Sequence, residues 1–310
     1  MQFHVLASGS SGNACVLEAA GFGVLLDFGL PIRSLTQRLR ESSLTWNHIH
    51  AVLLTHTHSD HWQPAALAHV AKLGVPVYCH PEHGETLARE SRAYQALSQA
   101  GLVRFYEPGE RFSLHPECHC LPIALQHDSI QTTGFRFEGA STIFGASWAF
   151  GYAADLGCWS AELAKLFADV DLLALEFNHD VSMQLRSGRH PLLIRRVLSD
   201  RGHLSNDQAA KLFDAILQQS EPGRLQALIQ LHLSRDCNRP DLARLAAQKV
   251  LDRFGSAAGI HTTEQEVVGP SIRLGRGKPA TVRRQQRQGP KQSAFAQPLL
   301  GYEIEENADG

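Results

Sequence analysis

The stretch Thr55-His56-Thr57-His58-Ser59-Asp60-His61 follows the apolar run Ala51-Val52-Leu53-Leu54 and precedes Trp62-Gln63-Pro64. Four potential metal ligands thus fall within six residues, at the C-terminal end of a buried strand and just before a helix. His56 and His58 are two apart, so in an extended segment they point to the same side. Asp60 and His61 follow as the chain turns and can face a second ion a few ångströms away. A pair of ions about 3.5–4 Å apart can clamp a phosphoryl or acyl oxygen and supply hydroxide near neutral pH. Without an ion, four polar side chains at the end of a core strand would each need another partner, because buried polar groups rarely go without one.

The bulk composition fits such a site. Of 310 residues, 43% are apolar and 19% charged, which is globular and excludes a disordered or collagenous chain. The length suits one large domain or two ordinary ones. Histidine is the surplus residue, 17 against 5 Tyr and 2 Met, and it is both the commonest metal ligand and the proton carrier near neutral pH. No run approaches the roughly 20 apolar residues that span a bilayer, and Met1-Gln2-Phe3-His4 lacks the charged start of a signal peptide. Six scattered cysteines are not a disulfide scaffold. We therefore expect a cytoplasmic protein without a membrane partner. Cys118-His119-Cys120 has two readings: a zinc half-site, or a strand with both thiols on one face.

The apolar pattern alternates between periods. Phe3–Ala7, Ala14–Glu18, Gly23–Asp27 and His50–Leu54 read as strands; Pro31–Arg40 and Pro64–Leu73 have helical spacing. The middle is mostly strand, including Cys118–Leu125, Thr132–Phe137, Thr142–Ala146 and Phe150–Ala153. Helix and strand then alternate through Ala161–Ala168, Leu172–Phe177, Leu192–Asp200, Asn206–Gln219, Gln226–Leu231 and Asp241–Phe254. Strands toward both ends with helices interleaved predict two packed sheets covered by helices. From Arg273 to Lys291 there are seven basic residues and no acid, followed by Glu303, Glu305, Glu306 and Asp309. That segment has no apolar period and reads as a flexible tail, 273–310, after a single domain, 1–272. The chain's formal charge is −2 and the tail carries +3, leaving −5 on the domain.

The H-x-H-x-D-H stretch is the defining motif of the metallo-β-lactamase superfamily, which this chain resembles over residues 1 to about 272. Four further motifs of that family occur in order: an Asp ending a strand in Leu25-Leu26-Asp27-Phe28-Gly29, an isolated His in Gln126-His127-Asp128, a strand-terminal Asp in Tyr152-Ala153-Ala154-Asp155-Leu156-Gly157, and a late His in Leu231-His232-Leu233-Ser234. The resemblance implies an α/β fold, a four-layer αβ/βα sandwich of two mixed β-sheets flanked by helices. It implies that His56, His58 and His127 hold one metal ion, that Asp60, His61 and His232 hold another, and that Asp155 bridges them. Asp27 would orient a ligand histidine. The donor set suits Zn²⁺, with Mn²⁺ as the second candidate, and a metal-bridging hydroxide is the implied nucleophile, with Asp60 positioning it or acting as base.

Within the superfamily, the opening Leu6-Ala7-Ser8-Gly9-Ser10-Ser11-Gly12-Asn13-Ala14-Cys15 is similar to that of the YycJ/WalJ subgroup. So are Leu175-Glu176-Phe177-Asn178-His179-Asp180, Arg201-Gly202-His203-Leu204-Ser205-Asn206 and the segment from Leu231 to Pro240. The chain departs at Phe177, where the subgroup has a small residue, and at Cys237, where it has Asn. The subgroup resemblance implies a 5′-to-3′ exonuclease acting on DNA. Glu176 with His203 also resembles the Glu and His of the tRNA 3′-processing branch, where they relay a proton to the leaving oxygen. Phosphodiester cleavage needs such a donor because an alkoxide leaves poorly. His203 has a plainer reading, as the start of a helix capped by Ser205 and Asn206. The role of His179 stays open, as does that of the Ser/Gly loop at 8–13, a phosphate cradle or a simple turn. Arg189, Arg195, Arg196 and Arg201 are a candidate phosphate surface, or a solvated helix face. The alternatives are a phosphodiesterase for a small cyclic phosphate, a thioester or lactone hydrolase, and a non-catalytic metal-binding sensor.

Overall fold

The computed structural model describes residues 1–142, 145–275 and 278–283. Its strands form two large sheets. The eight-stranded sheet runs, edge to edge, Lys278–Arg283, Ser271–Gly275, Gln2–Ala7, Ala14–Ala19, Phe22–Leu26, Ala51–Leu53, Val77–Cys79 and Val103–Phe105. Pairing is antiparallel as far as Phe22–Leu26 and parallel beyond it. The seven-stranded sheet runs Gly259–Thr262, Ala227–Leu231, Leu172–Glu176, Ala149–Ala153, Thr132–Glu138, Cys118–Leu125 and Phe112–His115. Here the first four strands are parallel and the rest antiparallel. Both sheets are mixed, as expected.

The strand period of two sorts side chains between layers. Phe3, Val5, Val24 and Leu26 of the first sheet face Phe135, Phe137, Phe150, Tyr152, Leu172 and Ala174 of the second in one apolar layer. Phe3 and Phe150 pack with ring centroids 4.5 Å apart. The alternate residues face outward. Leu25 and Val52 meet Leu35, Leu39, Leu67 and Val70 from helices Ile32–Glu41 and Pro64–Leu73. Leu173 and Leu175 meet Leu212, Phe213, Ala243 and Ala247 from helices Asn206–Gln218 and Pro240–Phe254. The result is helix, sheet, sheet, helix. Among the described residues no helix is long and apolar enough to cross a membrane.

Two sequence expectations change, and one open reading is settled. The boundary at 272 falls inside a strand: Ser271–Gly275 pairs with Gln2–Ala7, buries Leu274, and carries Lys278–Arg283 as the sheet edge. Its apolar content is two alternating residues, Ile272 and Leu274, which the surrounding basic residues obscured; 284–310, the rest of the expected tail, lies outside the described residues. Thr142–Ala146, read as one strand, is instead the pair Ser141–Thr142 and Gly145–Ala146, antiparallel to each other. Cys118 and Cys120 are buried on one face of their strand while His119 meets Ser113 at 2.8 Å, so this segment is the strand and not a zinc half-site.

Candidate metal centre and proton relay

The parallel strands of both sheets end at one cleft. From the first sheet come Asp27, one residue past Phe22–Leu26, and the His56–His61 segment after Ala51–Leu53. From the second come His127, Asp155, Glu176 and His232, each at or just beyond the C-terminal end of its strand. This is where open α/β sheets place their sites. Asp27, Asp155 and His232 each have positive φ, 59°, 58° and 54°. Left-handed backbone is costly for residues with a Cβ and persists where surroundings enforce it. Here it turns each side chain off its strand end toward the cleft.

Local packing fixes the first segment. Gly29 faces the backbone of Asp60 so closely that a Cβ there would stand 1.7 Å from the Asp60 carbonyl oxygen. That contact lets Phe28 N–H donate to His61 O at 2.8 Å and Asn13 N–H donate to Asp60 O at 2.7 Å. Thr55 N–H donates to Asp27 Oδ1 at 2.8 Å, and Asp27 Oδ2 lies 2.7 Å from His61 Nδ1.

The side chains gather into overlapping groups. His56, His58 and His127 bring ligand atoms within 4.8 Å of one another; so do Asp60, His61 and His232. Asp155 joins them, with Oδ2 2.8 Å from His61 Nε2 and Oδ1 3.3 Å from His232 Nε2. The seven residues expected as ligands therefore converge. His127 Nδ1 donates to Gly202 O at 2.8 Å, which turns Nε2 toward the cleft. Asn178 Nδ2 lies 3.1 Å from His232 Nδ1 and donates to His232 O, and Ser8 Oγ accepts from His232 N–H at 2.7 Å.

The donor set fits divalent cations on its own electrostatics. Asp27, Asp155 and Glu176 are buried and Asp60 half-buried, yet among the described residues none of the four pairs with a lysine or arginine. His61 presents Nδ1 to Asp27 and Nε2 to Asp155, and although burial opposes it these carboxylates raise the ring well above the ordinary histidine range; a divalent cation between Nε2 and Asp155 would take the place of that proton. His56 Nε2 and His232 Nε2 are buried without hydrogen-bond partners among the described residues. Burial, reinforced by His61, holds His56 well below the ordinary histidine range, in the neutral form that binds metal.

Glu176 and His203 form a second unit. His203 Nδ1 is 2.7 Å from Glu176 Oε1, and the other carboxylate oxygen accepts from Leu156 N–H at 3.0 Å and Leu204 N–H at 3.3 Å. Burial opposes the charged carboxylate, but the charge and hydrogen bond of His203 outweigh it and bring Glu176 down to about 2. Burial likewise opposes imidazolium at His203, and Glu176 reverses this, raising the ring above its ordinary range. His203 stacks on His232 with ring centroids 5.2 Å apart, so it borders the ligand cluster. Ser205 does cap helix Asn206–Gln218, but through its own hydroxyl, leaving the His203 ring to Glu176.

His179 stands apart from these clusters: it is fully buried, burial pushes its ring down to about 4, and its backbone pairs with Ser205. Sequence reasoning missed Asn13, Asn178 and Asp128. Asn13 lies 2.9 Å from His61 Nε2 and 3.3 Å from Asp60 Oδ2, so the Ser/Gly loop supports the ligand segment. Asp128 Oδ1 lies 3.3 Å from His127 Nε2 and 3.7 Å from His58 Nε2, and is ion-paired with Arg196. Adjacency to His127 was the one available signal for Asp128. Of the other arginines, Arg189 pairs with Asp236 at 2.8 Å and Arg201 donates to His127 O at 3.2 Å.

Comparison with known proteins agrees with this fold. The family model described as a beta-lactamase superfamily domain matches residues 22–221. The chain is 28% identical over 260 residues to exodeoxyribonuclease WalJ of Streptococcus pneumoniae serotype 2, covering 84% of this chain and 91% of that one. It is 27% identical over 277 residues to exodeoxyribonuclease YycJ of Bacillus anthracis, covering 86% and 97%. Among solved structures, the metallo-beta-lactamase fold protein YhfI from Bacillus subtilis superposes with a TM-score of 0.61 at 16% identity, over 86% of this chain and 98% of that one.

Proposed function

We propose a nuclease function on this premise: the chain belongs to the β-lactamase superfamily, whose domain model spans residues 22–221. It is a metal-dependent hydrolase with the four-layer fold of the metallo-β-lactamases. The finer reading is a 5′-to-3′ exonuclease acting on DNA. The observation that carries it is the Glu176–His203 pair, 2.7 Å apart, beside the two ligand triads, with Asp155 grouped both with His56 and His61 and with Glu176, His203 and His232. A hydrolase of activated esters needs the triads alone; a phosphodiesterase also needs an acid for its leaving alkoxide.

In this reading His56, His58 and His127 would hold one ion and Asp60, His61 and His232 the other, with Asp155 as a ligand common to both, and Zn²⁺ or Mn²⁺ would be the metal. The bound ions supply Lewis acidity and a nucleophile drawn from water at neutral pH. Asp60 orients the attacking oxygen or accepts its proton. Asp27 fixes the tautomer of His61 by taking its Nδ1 proton in a hydrogen bond. Glu176 accepts a hydrogen bond from His203 Nδ1–H and favours the doubly protonated ring, so the Nε2 proton passes to the leaving oxygen and a neutral imidazole remains. The names of the two exodeoxyribonucleases at 27–28% identity support DNA as the polymer.

The test incubates metal-loaded protein with 5′-labelled duplex DNA, single-stranded DNA, RNA and a cyclic ribose phosphate. Release of nucleotides from DNA ends, lost in His58→Ala and Asp60→Ala, is the expected result. Turnover of the cyclic phosphate alone would overturn the nuclease reading. Elemental analysis well below two ions per chain at saturation would overturn the dinuclear one.

A further inference from the structure

We propose that the short helix Pro191–Val197 engages the end of the DNA duplex, with Leu192 as a wedge against the terminal base pair and Arg195 and Arg196 on the adjoining phosphates. The proposal rests on the nuclease reading and assigns it an element that grips substrate.

The helix is tied to the candidate centre. Arg196 is ion-paired with Asp128, whose Oδ1 lies 3.3 Å from His127 Nε2 and 3.7 Å from His58 Nε2. His203 N–H donates to Val197 O at 3.0 Å, and Gly202 O accepts from His127 Nδ1. One end of the helix therefore abuts both the ligand cluster and the proton relay. Leu192 and Arg196 are four residues apart, hence on one face and a little over one turn, ~6 Å, apart along the axis.

The surface has the two components a nucleic-acid end requires. The first is charge: residues 181–203 hold five arginines and one acid, a formal +4 on a chain of net −2. Arg195 makes no ion pair among the described residues, and Arg196 is already on a carboxylate that a phosphate can replace. The second is an apolar tip. Leu192 is 67% exposed, the most exposed large apolar side chain among the described residues. Leu193 on the same helix, and Ile130 two residues past Asp128, are exposed as well. Exposed leucine beside arginine suits a wedge between base steps, a device known to unstack duplexes at a cost of a few kcal/mol per step. A helix of seven residues with two exposed leucines is too small for a membrane-lying face.

The test compares a 5′-labelled blunt duplex with the same labelled strand alone. Leu192→Ser should lower kcat/KM on the duplex about tenfold and on the single strand by much less, with Leu192→Phe recovering duplex activity. Arg195→Ala should weaken duplex binding and reduce the salt dependence by about one counterion. Equal loss on both substrates, or no loss on either, would overturn the wedge while leaving the nuclease reading intact. A wild-type chain that degrades neither form would overturn both.

Discussion

His203 Nδ1 sits 2.7 Å from Glu176 Oε1, and the remaining Glu176 oxygen is occupied by the backbone N–H groups of Leu156 and Leu204. The carboxylate is thus held at both oxygens, and its nearest charged partners are imidazoles, His203 at 2.7 Å and His232 Nδ1 at 3.5 Å. In the proposed function this arrangement positions a proton donor; the competing reading is that Glu176 and His203 join Asp155 and His232 in holding an ion. Replacing His203 by Ala should slow phosphodiester cleavage about 10²–10⁴-fold, the usual contribution of a positioned acid, with metal content unchanged. Glu176→Gln should give a smaller loss and shift the alkaline limb of the rate profile to lower pH. Loss of metal in His203→Ala would show the residue to be a ligand instead.

Asp27 tests the supporting structure. It contacts His61 Nδ1 at 2.7 Å and anchors Thr55, without itself belonging to any of the ligand groups. Asp27→Asn keeps the shape and removes the charge. Metal affinity, measured by competition with a chelator, should fall about 10–100-fold, as when other outer partners of metal-binding histidines are removed. An unchanged affinity would mean the contact serves folding alone.

Much of this site could be read before any coordinates, because its residues sit at strand ends where apolar runs stop abruptly. Leu53-Leu54, Leu125, Ala153-Ala154 and Leu231 each break into a polar residue that no surface strand would need there. What supports those residues was less legible. Ser8 reaches His232 across 224 residues and Asn13 reaches His61 across 48, and no periodicity encodes such contacts. The strand Ser271–Gly275 escaped notice because its apolar signal is only two alternating residues set among arginines and glycines. Helices Pro81–Glu90 and Arg92–Gln99 were also unread: Gly84 interrupts the first, and the second buries only Tyr94 and Leu97. The histidine surplus pointed the right way, yet His83 and His179 are buried away from the clusters and burial pushes each down to about 4.

Away from the cleft, Glu138 links pH to stability. Arg136 and Arg111 contact it at 2.8 and 2.7 Å, and although burial opposes the charge, the two guanidinium groups hold its carboxyl below the usual range. A depressed folded pKa adds stability that is complete above the unfolded value and fades as pH falls through the folded one. Glu138→Gln should therefore cost about 1 kcal/mol at pH 7. The gap between variant and wild type should narrow below about pH 4.5 as the wild-type carboxylate is protonated. Urea unfolding of both proteins across pH 3.5–7 measures this; a gap independent of pH would rule the ion pair out as its source.

Gly29 makes the most severe steric demand beneath the ligand segment. Its missing Cβ would fall 1.7 Å from the carbonyl oxygen of Asp60 and 2.8 Å from the backbone nitrogen of His61. Neither atom is the end of a flexible side chain, so the clash can be relieved only by moving the backbone that carries two proposed ligands. Gly29→Ala should destabilise the fold by about 1–3 kcal/mol, the range for overpacking a tight interior, and should also weaken metal binding because Asp60 and His61 shift together. A variant that loses metal affinity while its circular dichroism stays native separates displacement of the ligands from unfolding. If affinity and stability both match the wild type, the loop is more yielding than its contacts imply.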